Sequence, residues 1–149
     1  MKAYLILISI VFNILAAKAE IDTNSFLPSV DGEKKEYNSV IQFKSNTLTG
    51  ICIIKKEEGE ILGTFINEFG IKGFDFIYNI KKNNIKIVNA IKFLNKWYIK
   101  KTIKKDLKFL IVNKTNSKNK KREVNYDDGC IMLMNNKYEI IYKFKPINK

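Results

Sequence analysis

Short apolar runs, separated by turns rich in Gly, Asn and Lys, follow one another through the middle of the chain and predict β-strands. Clear turn signals such as Glu57-Glu58-Gly59 and Glu68-Phe69-Gly70 end two of the runs. Because such short turns join antiparallel neighbours, the pattern predicts an antiparallel meander. Its five predicted strands cover residues 40–43, 48–56, 60–67, 71–80 and 85–90.

The spacing changes after the fifth run. Between Phe93 and Ile111, apolar residues recur at steps of three and four without Gly or Pro, which predicts an amphipathic helix of about five turns. A basic loop at residues 114–122 follows, and then three more predicted strands at 123–126, 130–134 and 137–145. We therefore expect an α+β fold, a curved antiparallel sheet of about eight strands that forms an incomplete half-barrel, with one long helix packed on or in it.

The first 19 residues have another pattern, which is that of a targeting segment. Lys2 precedes an apolar run of thirteen residues, 3–15, and Ala17-Lys18-Ala19 has small residues at the two positions that a signal peptidase reads. A membrane-spanning helix needs roughly 20 apolar residues. We expect a signal peptide over residues 1–19, a flexible leader over 20–37 and a single domain over 38–149, so that the protein is exported.

The net charge of +12 comes almost wholly from lysine, because Arg122 is the only arginine. Nucleic-acid binders commonly use arginine for bidentate contacts and aromatic residues for base stacking. The densest basic run, residues 114–122, contains no aromatic residue. A nucleic-acid partner is therefore not expected, whereas an anionic membrane surface stays open as a partner, since each Lys near the headgroups adds about 1 kcal/mol.

Candidate catalytic groups are few. The chain has no histidine, which excludes Ser-His-Asp and Cys-His catalysis and the Cys₂His₂ zinc site. Cys52 and Cys130 could pair in an oxidising compartment or lie as small hydrophobic residues in strands. Asp75 and Asp106 lack an identifiable second catalytic group; a strand Asp commonly bonds a turn, and a helix Asp commonly pairs with a nearby Lys. We expect no enzyme activity, no catalytic residue, no metal and no cofactor.

Three of the predicted strands, 48–56, 60–67 and 71–80, are apolar on both faces, and the helix also has an apolar stripe to bury. One helix on one sheet covers a single face. Two accounts follow. Loops or a partner cover the second face around a fully packed core, or the sheet curls around a partly empty pocket that takes an apolar ligand.

Two segments carry a resemblance to a known family. Residues 49–55 (TGICIIK) have the pattern small-Gly-apolar-x-apolar-x-Lys, and residues 65–76 (FINEFGIKGFDF) have an asparagine-acidic-Phe-Gly turn followed by a Phe-Asp-Phe strand. They resemble the LolA/LolB lipoprotein-carrier superfamily, in particular its LolB-like outer-membrane lipoproteins, and residues 105–110 (KDLKFL) are similar to a helix end of that family. The resemblance covers about residues 43–111.

The resemblance implies an incomplete antiparallel barrel, closed by helices, whose apolar cavity holds the acyl chains of lipoproteins and passes them toward the outer membrane. It also implies a location in the periplasm or at the inner face of the outer membrane. No cysteine lies near the predicted cleavage site, so a lipobox anchor of the LolB kind is not expected.

We therefore predict non-catalytic binding of lipid or lipoprotein acyl chains, or of a similar apolar ligand, in the cell envelope, in the manner of a lipoprotein carrier. Lysines at the rim would hold an anionic headgroup. The alternative is a basic interaction module with a solid core that binds an anionic envelope surface or a partner protein. The predicted apolar lining comes from one strand face and the helix: Ile54, Phe65, Phe74, Phe76, Tyr78, Trp97, Ile103 and Leu107.

Overall fold

The computed structural model describes residues 25–147, and the predicted signal peptide over residues 1–19 lies outside them. One helix follows five strands and precedes four more. The elements are β1 (Lys34–Phe43), β2 (Asn46–Glu57), β3 (Glu60–Asn67), β4 (Lys72–Asn79), β5 (Asn84–Val88), α1 (Trp97–Val112), β6 (Ser117–Lys118), β7 (Arg122–Asp127), β8 (Cys130–Asn135) and β9 (Ile140–Pro146).

All nine strands belong to one antiparallel sheet with the order β5-β4-β3-β2-β1-β9-β8-β7-β6. Pairing of β1 with β9 joins the first meander to the second, and the sheet does not close. The helix contacts β5 near one edge and β7 and β8 near the other, so the sheet curves around it. The α+β prediction of a curved, open antiparallel sheet with one helix is confirmed. The sheet has one strand more than the eight predicted. This additional strand is β6, which has two residues and no apolar run.

The concave face of the sheet and the helix form one hydrophobic core. Alternate residues of each strand point inward, so that Cys52 of β2 lies between Tyr37 of β1 and Phe65 of β3 in the register. From the helix, Ile103, Leu107, Leu110 and Ile111 are buried against this face. The interior is therefore filled by the side chains of the protein itself.

The convex face explains the strands that are apolar on both sides. Ile51 is 40% exposed, and Ile53, Leu62, Ile66 and Ile77 are half-buried. These side chains belong to the outer rows of β2, β3 and β4. The one helix between residues 25 and 147 lies on the other side of the sheet, so lateral neighbours alone shield this outer apolar surface.

The sheet begins earlier than the sequence predicts. β1 starts at Lys34, and both Phe26 and Tyr37 are 2% exposed. The Tyr37 hydroxyl donates a hydrogen bond to the Phe26 carbonyl oxygen at 2.9 Å, and the Phe26 ring lies 4.9 Å from that of Phe144. Residues 25–37 are therefore folded, and the prediction of a flexible leader is wrong for them. A single aromatic anchor in a polar segment has no periodicity by which to recognise it.

The helix begins later than predicted, at Trp97 instead of Phe93. Before it, Leu94 is buried in a turn in which its N–H donates to the Ile91 carbonyl at 2.9 Å. The buried arc of the helix runs from Ile99 at steps of three and four. Trp97 precedes Ile99 by two residues, a rotation of about 200°, and this places it off the arc with 72% of its surface exposed.

The last hairpin turns over four residues, 136–139, and not over the two residues between the predicted strands 130–134 and 137–145. Asn135 is buried, and its side-chain oxygen accepts hydrogen bonds from the backbone N–H groups of Lys137 and Tyr138 at 3.1 and 3.2 Å. Tyr138 consequently lies in the turn with 45% exposure, although the sequence pattern places it in the last strand.

Candidate functional site

A cavity of about 740 Å³ lies at the end of the half-barrel where α1 begins. The first turns of α1, the β1–β2 turn and the β8–β9 turn surround it. Phe43, Ile99, Ile103 and Ile140 give it an apolar floor. Six cationic side chains surround this floor, and with it they define what we call the basic groove: Lys44, Lys101, Lys105, Lys121, Arg122 and Lys137.

The basic groove is electrostatically one-sided, since no acidic residue is among those that line it in residues 25–147. The Lys137 ammonium lies 4.8 Å from the centre of the Tyr138 ring. The pKa of Tyr138 lies below its ordinary value because Lys137 hydrogen-bonds to the hydroxyl and because the charges of Lys137, Lys105 and Lys121 favour the phenolate. With six cations and no acidic side chain among its described lining residues, the groove has a positive electrostatic potential.

A second cavity of about 430 Å³ adjoins the basic groove and shares Phe43, Asn46 and Ile99 with it. Thr47, Leu48, Phe93 and Leu94 complete its lining, and none of its described lining residues is charged. We call it the apolar annex. The two cavities are therefore neighbours, one lined by six cations and the other by uncharged residues.

A hydrogen-bonded network around Asp106 lies beneath the basic groove. Asp106 of α1 is 0% exposed, and its Oδ1 accepts from Arg122 Nε at 2.6 Å and from Asn135 Nδ2 at 2.8 Å. Its Oδ2 accepts from the Tyr142 hydroxyl at 2.8 Å. The network thus connects the helix to β7, β8 and β9.

Burial raises the pKa of the Asp106 carboxyl above its ordinary value, while the hydrogen bonds from Asn135 and Tyr142 and the positive charge of Arg122 oppose that rise. Because a guanidinium stays protonated in proteins, the carboxyl group beside Arg122 is its ionised partner. The sequence favoured a nearby Lys as the partner of Asp106. It could not place Arg122, which ends a basic run that has the pattern of a solvated loop, although its being the only arginine was the available signal.

Two of the eight residues predicted to line an apolar pocket, Trp97 and Ile103, line the basic groove. The other six are at most 8% exposed, belong to the packed core and line neither of the two cavities: Ile54, Phe65, Phe74, Phe76, Tyr78 and Leu107. The sequence predicted a ligand cavity lined by these six residues, but they pack together in the interior of the protein. The aromatic side chains fill the space themselves, as in the stacked Phe65–Phe74 pair with ring centres 5.8 Å apart.

Several groove residues escaped the sequence prediction because they lie in hairpin turns or at the strand ends beside those turns. Phe43 and Lys44 come from the β1–β2 hairpin, and Lys137 and Ile140 come from the β8–β9 hairpin. The pairing of Phe43 with Ile140 across β1 and β9 brings these distant turns together. No periodic pattern in the sequence indicates that pairing.

The second candidate acid, Asp75, lies on the outer face of β4, away from the groove. It accepts hydrogen bonds from Thr64 Oγ1 at 2.8 Å, from Lys72 Nζ at 3.0 Å and from Asn89 Nδ2 at 2.7 Å. Partial burial tends to raise its pKa, but the hydrogen bonds from Asn89, Thr64 and Lys72 outweigh burial, so the pKa lies below its ordinary value. These bonds join β4 to β3 and to the loop after β5.

The two cysteines are not bonded to each other. Cys52 is buried on the inner face of β2, and burial raises the pKa of its thiol to about 12. Cys130 is half-buried at the start of β8, where the inward positions are those of Ile131 and Leu133. The two thiols therefore lie on opposite faces of the sheet.

No family model matches the chain, and no curated protein matches it. The resemblance to lipoprotein carriers therefore stays a prediction. In the described portion of the chain, no helix has both the length and the apolar character that crossing a bilayer requires. Over the same residues, no three Cys, Asp or Glu side chains come together as a metal site would need.

Proposed function

We propose that the protein binds the acyl chain of an anionic amphiphile in the basic groove, without covalent chemistry. The observation that carries the proposal is the apolar floor of Phe43, Ile99, Ile103 and Ile140 beneath six cationic side chains. The volume of about 740 Å³ falls within the roughly 300–1,000 Å³ typical of small-molecule sites. Burial of the chain supplies about 0.8 kcal/mol per methylene, and the cations attract the headgroup.

A role in the cell envelope, with lipid or lipoprotein acyl chains as cargo, is part of the same proposal. The signal-like residues 1–19 and the resemblance to lipoprotein carriers favour it. The open position of the groove, at one end of the half-barrel, gives a chain a direct route in and out.

Trp97 provides the test, because it is the only tryptophan of the chain and lines the basic groove. Titration with myristic acid below its critical micelle concentration should shift the tryptophan emission to shorter wavelength, and calorimetry should give a saturable isotherm. Native mass spectrometry of the purified protein should show co-purifying lipid. The absence of any emission change, isotherm or bound lipid would contradict the proposal.

A matched pair of variants locates the binding site. Ile99→Asn places a polar group on the groove floor and should weaken myristic acid at least about tenfold, because a buried amide without a partner is costly. Ile51→Asn makes the same change on the convex face, where Ile51 is 40% exposed, and should leave the affinity unchanged. Equal effects of both variants would place the ligand elsewhere.

A second candidate function, docking on an anionic membrane surface, is favoured by the aromatic residues at the same end of the molecule. Exposed Trp97, Tyr98 and Tyr138 line the groove. Exposed Phe93 lines the apolar annex, and exposed Phe69 lies in the β3–β4 turn at the same end. Aromatic and basic side chains together are typical of a surface that lies at a lipid headgroup layer.

Vesicles discriminate between the two functions. Flotation with phosphatidylglycerol vesicles but not with phosphatidylcholine vesicles, abolished by salt, would support docking. Saturable binding of monomeric myristic acid with no flotation would support the groove alone. The two functions can also coexist, in which case Phe69→Ser should reduce flotation and leave binding of monomeric myristic acid unchanged.

A further inference from the structure

We infer that Arg122 binds the oxyanion of the ligand, a carboxylate or a phosphate, and that the chain then runs over Phe43 and Ile99 into the apolar annex. This inference rests on the proposed function and deepens it. It assigns the chemical class of the headgroup, the residue that recognises it and the direction in which the ligand lies.

The first argument is the state of the Arg122 guanidinium. Its Nε donates to Asp106 at 2.6 Å, but its two Nη groups donate to no residue among those the structure describes. No buried side-chain nitrogen or oxygen within residues 25–147 lacks a partner, so these Nη groups are open to solvent. Arg122 lines the basic groove, and its side chain is only 13% exposed. A fork of N–H donors is thus available at the groove wall.

The second argument is that a buried carboxylate holds Arg122, whereas the five lysines of the groove have exposed side chains. Hydrogen bonds from Asn135 and Tyr142 fix the Asp106 carboxylate, and this carboxylate in turn orients the Arg122 guanidinium. The five lysines of the groove are all exposed. A fixed planar fork fits the two oxygens of a carboxylate or phosphate and loses little conformational entropy on binding. An ammonium group on a flexible four-carbon stem attracts an anion but does not fix its orientation.

The third argument is the charge along the path. Asp106 offsets the charge of Arg122 itself, so the five lysines make the groove attractive to a further anion. The apolar annex has no charged residue in its described lining. Because an unpaired charge is costly in an apolar site, the head belongs in the basic groove and the tail in the annex. Phe43 and Ile99, which line both cavities, are the floor between them.

The test compares three lipids with one chain length, followed by Trp97 emission: myristic acid, monomyristoyl phosphate and neutral monomyristoylglycerol. The wild-type chain should bind at least one of the two anions about tenfold or more tightly than the neutral lipid. The acid and the phosphate form separate arms, and the tighter one identifies the headgroup.

Arg122→Lys keeps the charge beside Asp106 but removes the fork, and it should reduce the preference for the anion about tenfold. If the lysine variant folds poorly, the double variant Arg122→Gln with Asp106→Asn takes its place. It removes both charges of the pair, leaves no unpaired ion in the interior, and should reduce the preference for the anion to the same extent. Lys143→Gln removes one charge from the exposed outer face of β9 and should keep the preference.

Leu48→Asn tests the direction of the chain, since Leu48 lines the annex but not the groove. It should weaken myristic acid more than octanoic acid, because only the longer chain reaches the annex. Equal weakening of both acids would overturn the orientation. A full anion preference in the Arg122 variants would overturn the role of Arg122 while the proposed function stands, and failure of all three lipids to bind the wild-type chain would overturn both.

Discussion

Tyr142→Phe deletes one hydroxyl group from the interior and deprives a buried carboxylate oxygen of its donor. Tyr142 and Asp106 are both 0% exposed, and the hydroxyl lies 2.8 Å from Asp106 Oδ2. The other two donors of the network, on Arg122 and Asn135, both bond to Oδ1. In the variant, Oδ2 therefore keeps no donor among the described residues, in a side chain that is 0% exposed in the wild-type structure.

The magnitude follows from the charge of the acceptor. A hydrogen bond to a charged group contributes about 1.5–3 kcal/mol, and a neutral one about 0.5–1.5 kcal/mol. We expect Tyr142→Phe to lower the free energy of unfolding by about 2–3 kcal/mol. Tyr37→Phe is the matched control. Tyr37 is also buried, at 2% exposed, but its hydroxyl donates to neutral backbone carbonyls, that of Phe26 at 2.9 Å and that of Ser25 at 3.4 Å, so its loss should cost about 1 kcal/mol.

Urea denaturation at pH 7, followed by far-UV circular dichroism, measures both variants. The double variant with Asp106→Asn completes a thermodynamic cycle, in which Tyr142→Phe should cost at least about 1 kcal/mol less than in the wild-type background. If Tyr142→Phe costs no more than Tyr37→Phe, or if its effect is additive with Asp106→Asn, the charged network does not have the strength that its geometry indicates.

Three further predictions concern the rest of the fold. Gly63→Ala should lower the free energy of unfolding by about 1–3 kcal/mol, because its Cβ would meet the buried Phe76 ring; partial recovery in the double variant with Phe76→Leu, by urea denaturation, checks the cause. Cys52, with its thiol pKa of about 12, should be inert to a thiol reagent in the folded protein and should react in urea. Half-buried Cys130 should account for any reaction of the folded protein, so Cys130→Ser should abolish that reaction. The pKa of Asp75 is lowered in the folded state, so the carboxylate contributes to stability above its ordinary pKa of 3.8, and this contribution is lost as the pH falls through the lowered pKa. The difference in free energy of unfolding between wild type and Asp75→Asn should therefore shrink below about pH 4. A difference that stays constant with pH would contradict the lowered pKa of Asp75.

The sequence predicts those elements whose signal is local. The apolar runs and turn residues gave the five-strand meander, the later strands and the amphipathic helix, because strands and helices have their own periods. Phe26 could not be placed in the same way, since one aromatic side chain in a polar segment has no period. The pairing of β1 with β9 joins segments about 100 residues apart, and no local pattern encodes it.

The candidate site shares one feature with what the sequence led us to expect. The expectation of apolar side chains with lysines at a rim matches the composition of the basic groove. Its position was wrong because apolar residues on an inward strand face fill a core as readily as they line a pocket, and Phe76, packed over Gly63, fills it. The Asp106–Arg122 pair depends on the contact between α1 and β7, which the sequence does not show.

A packed interior changes how the proposed ligand would be held. A deep cavity would surround a chain on all sides, whereas the end groove exposes part of it to solvent and so gains less from each methylene. Headgroup recognition then has a larger share of the affinity, and a fixed guanidinium at the groove wall matters more than it would in a closed pocket. The same openness removes the need for the sheet and helix to separate before release. Binding at this end should therefore exchange quickly, and the ligand's headgroup should decide which amphiphiles are retained.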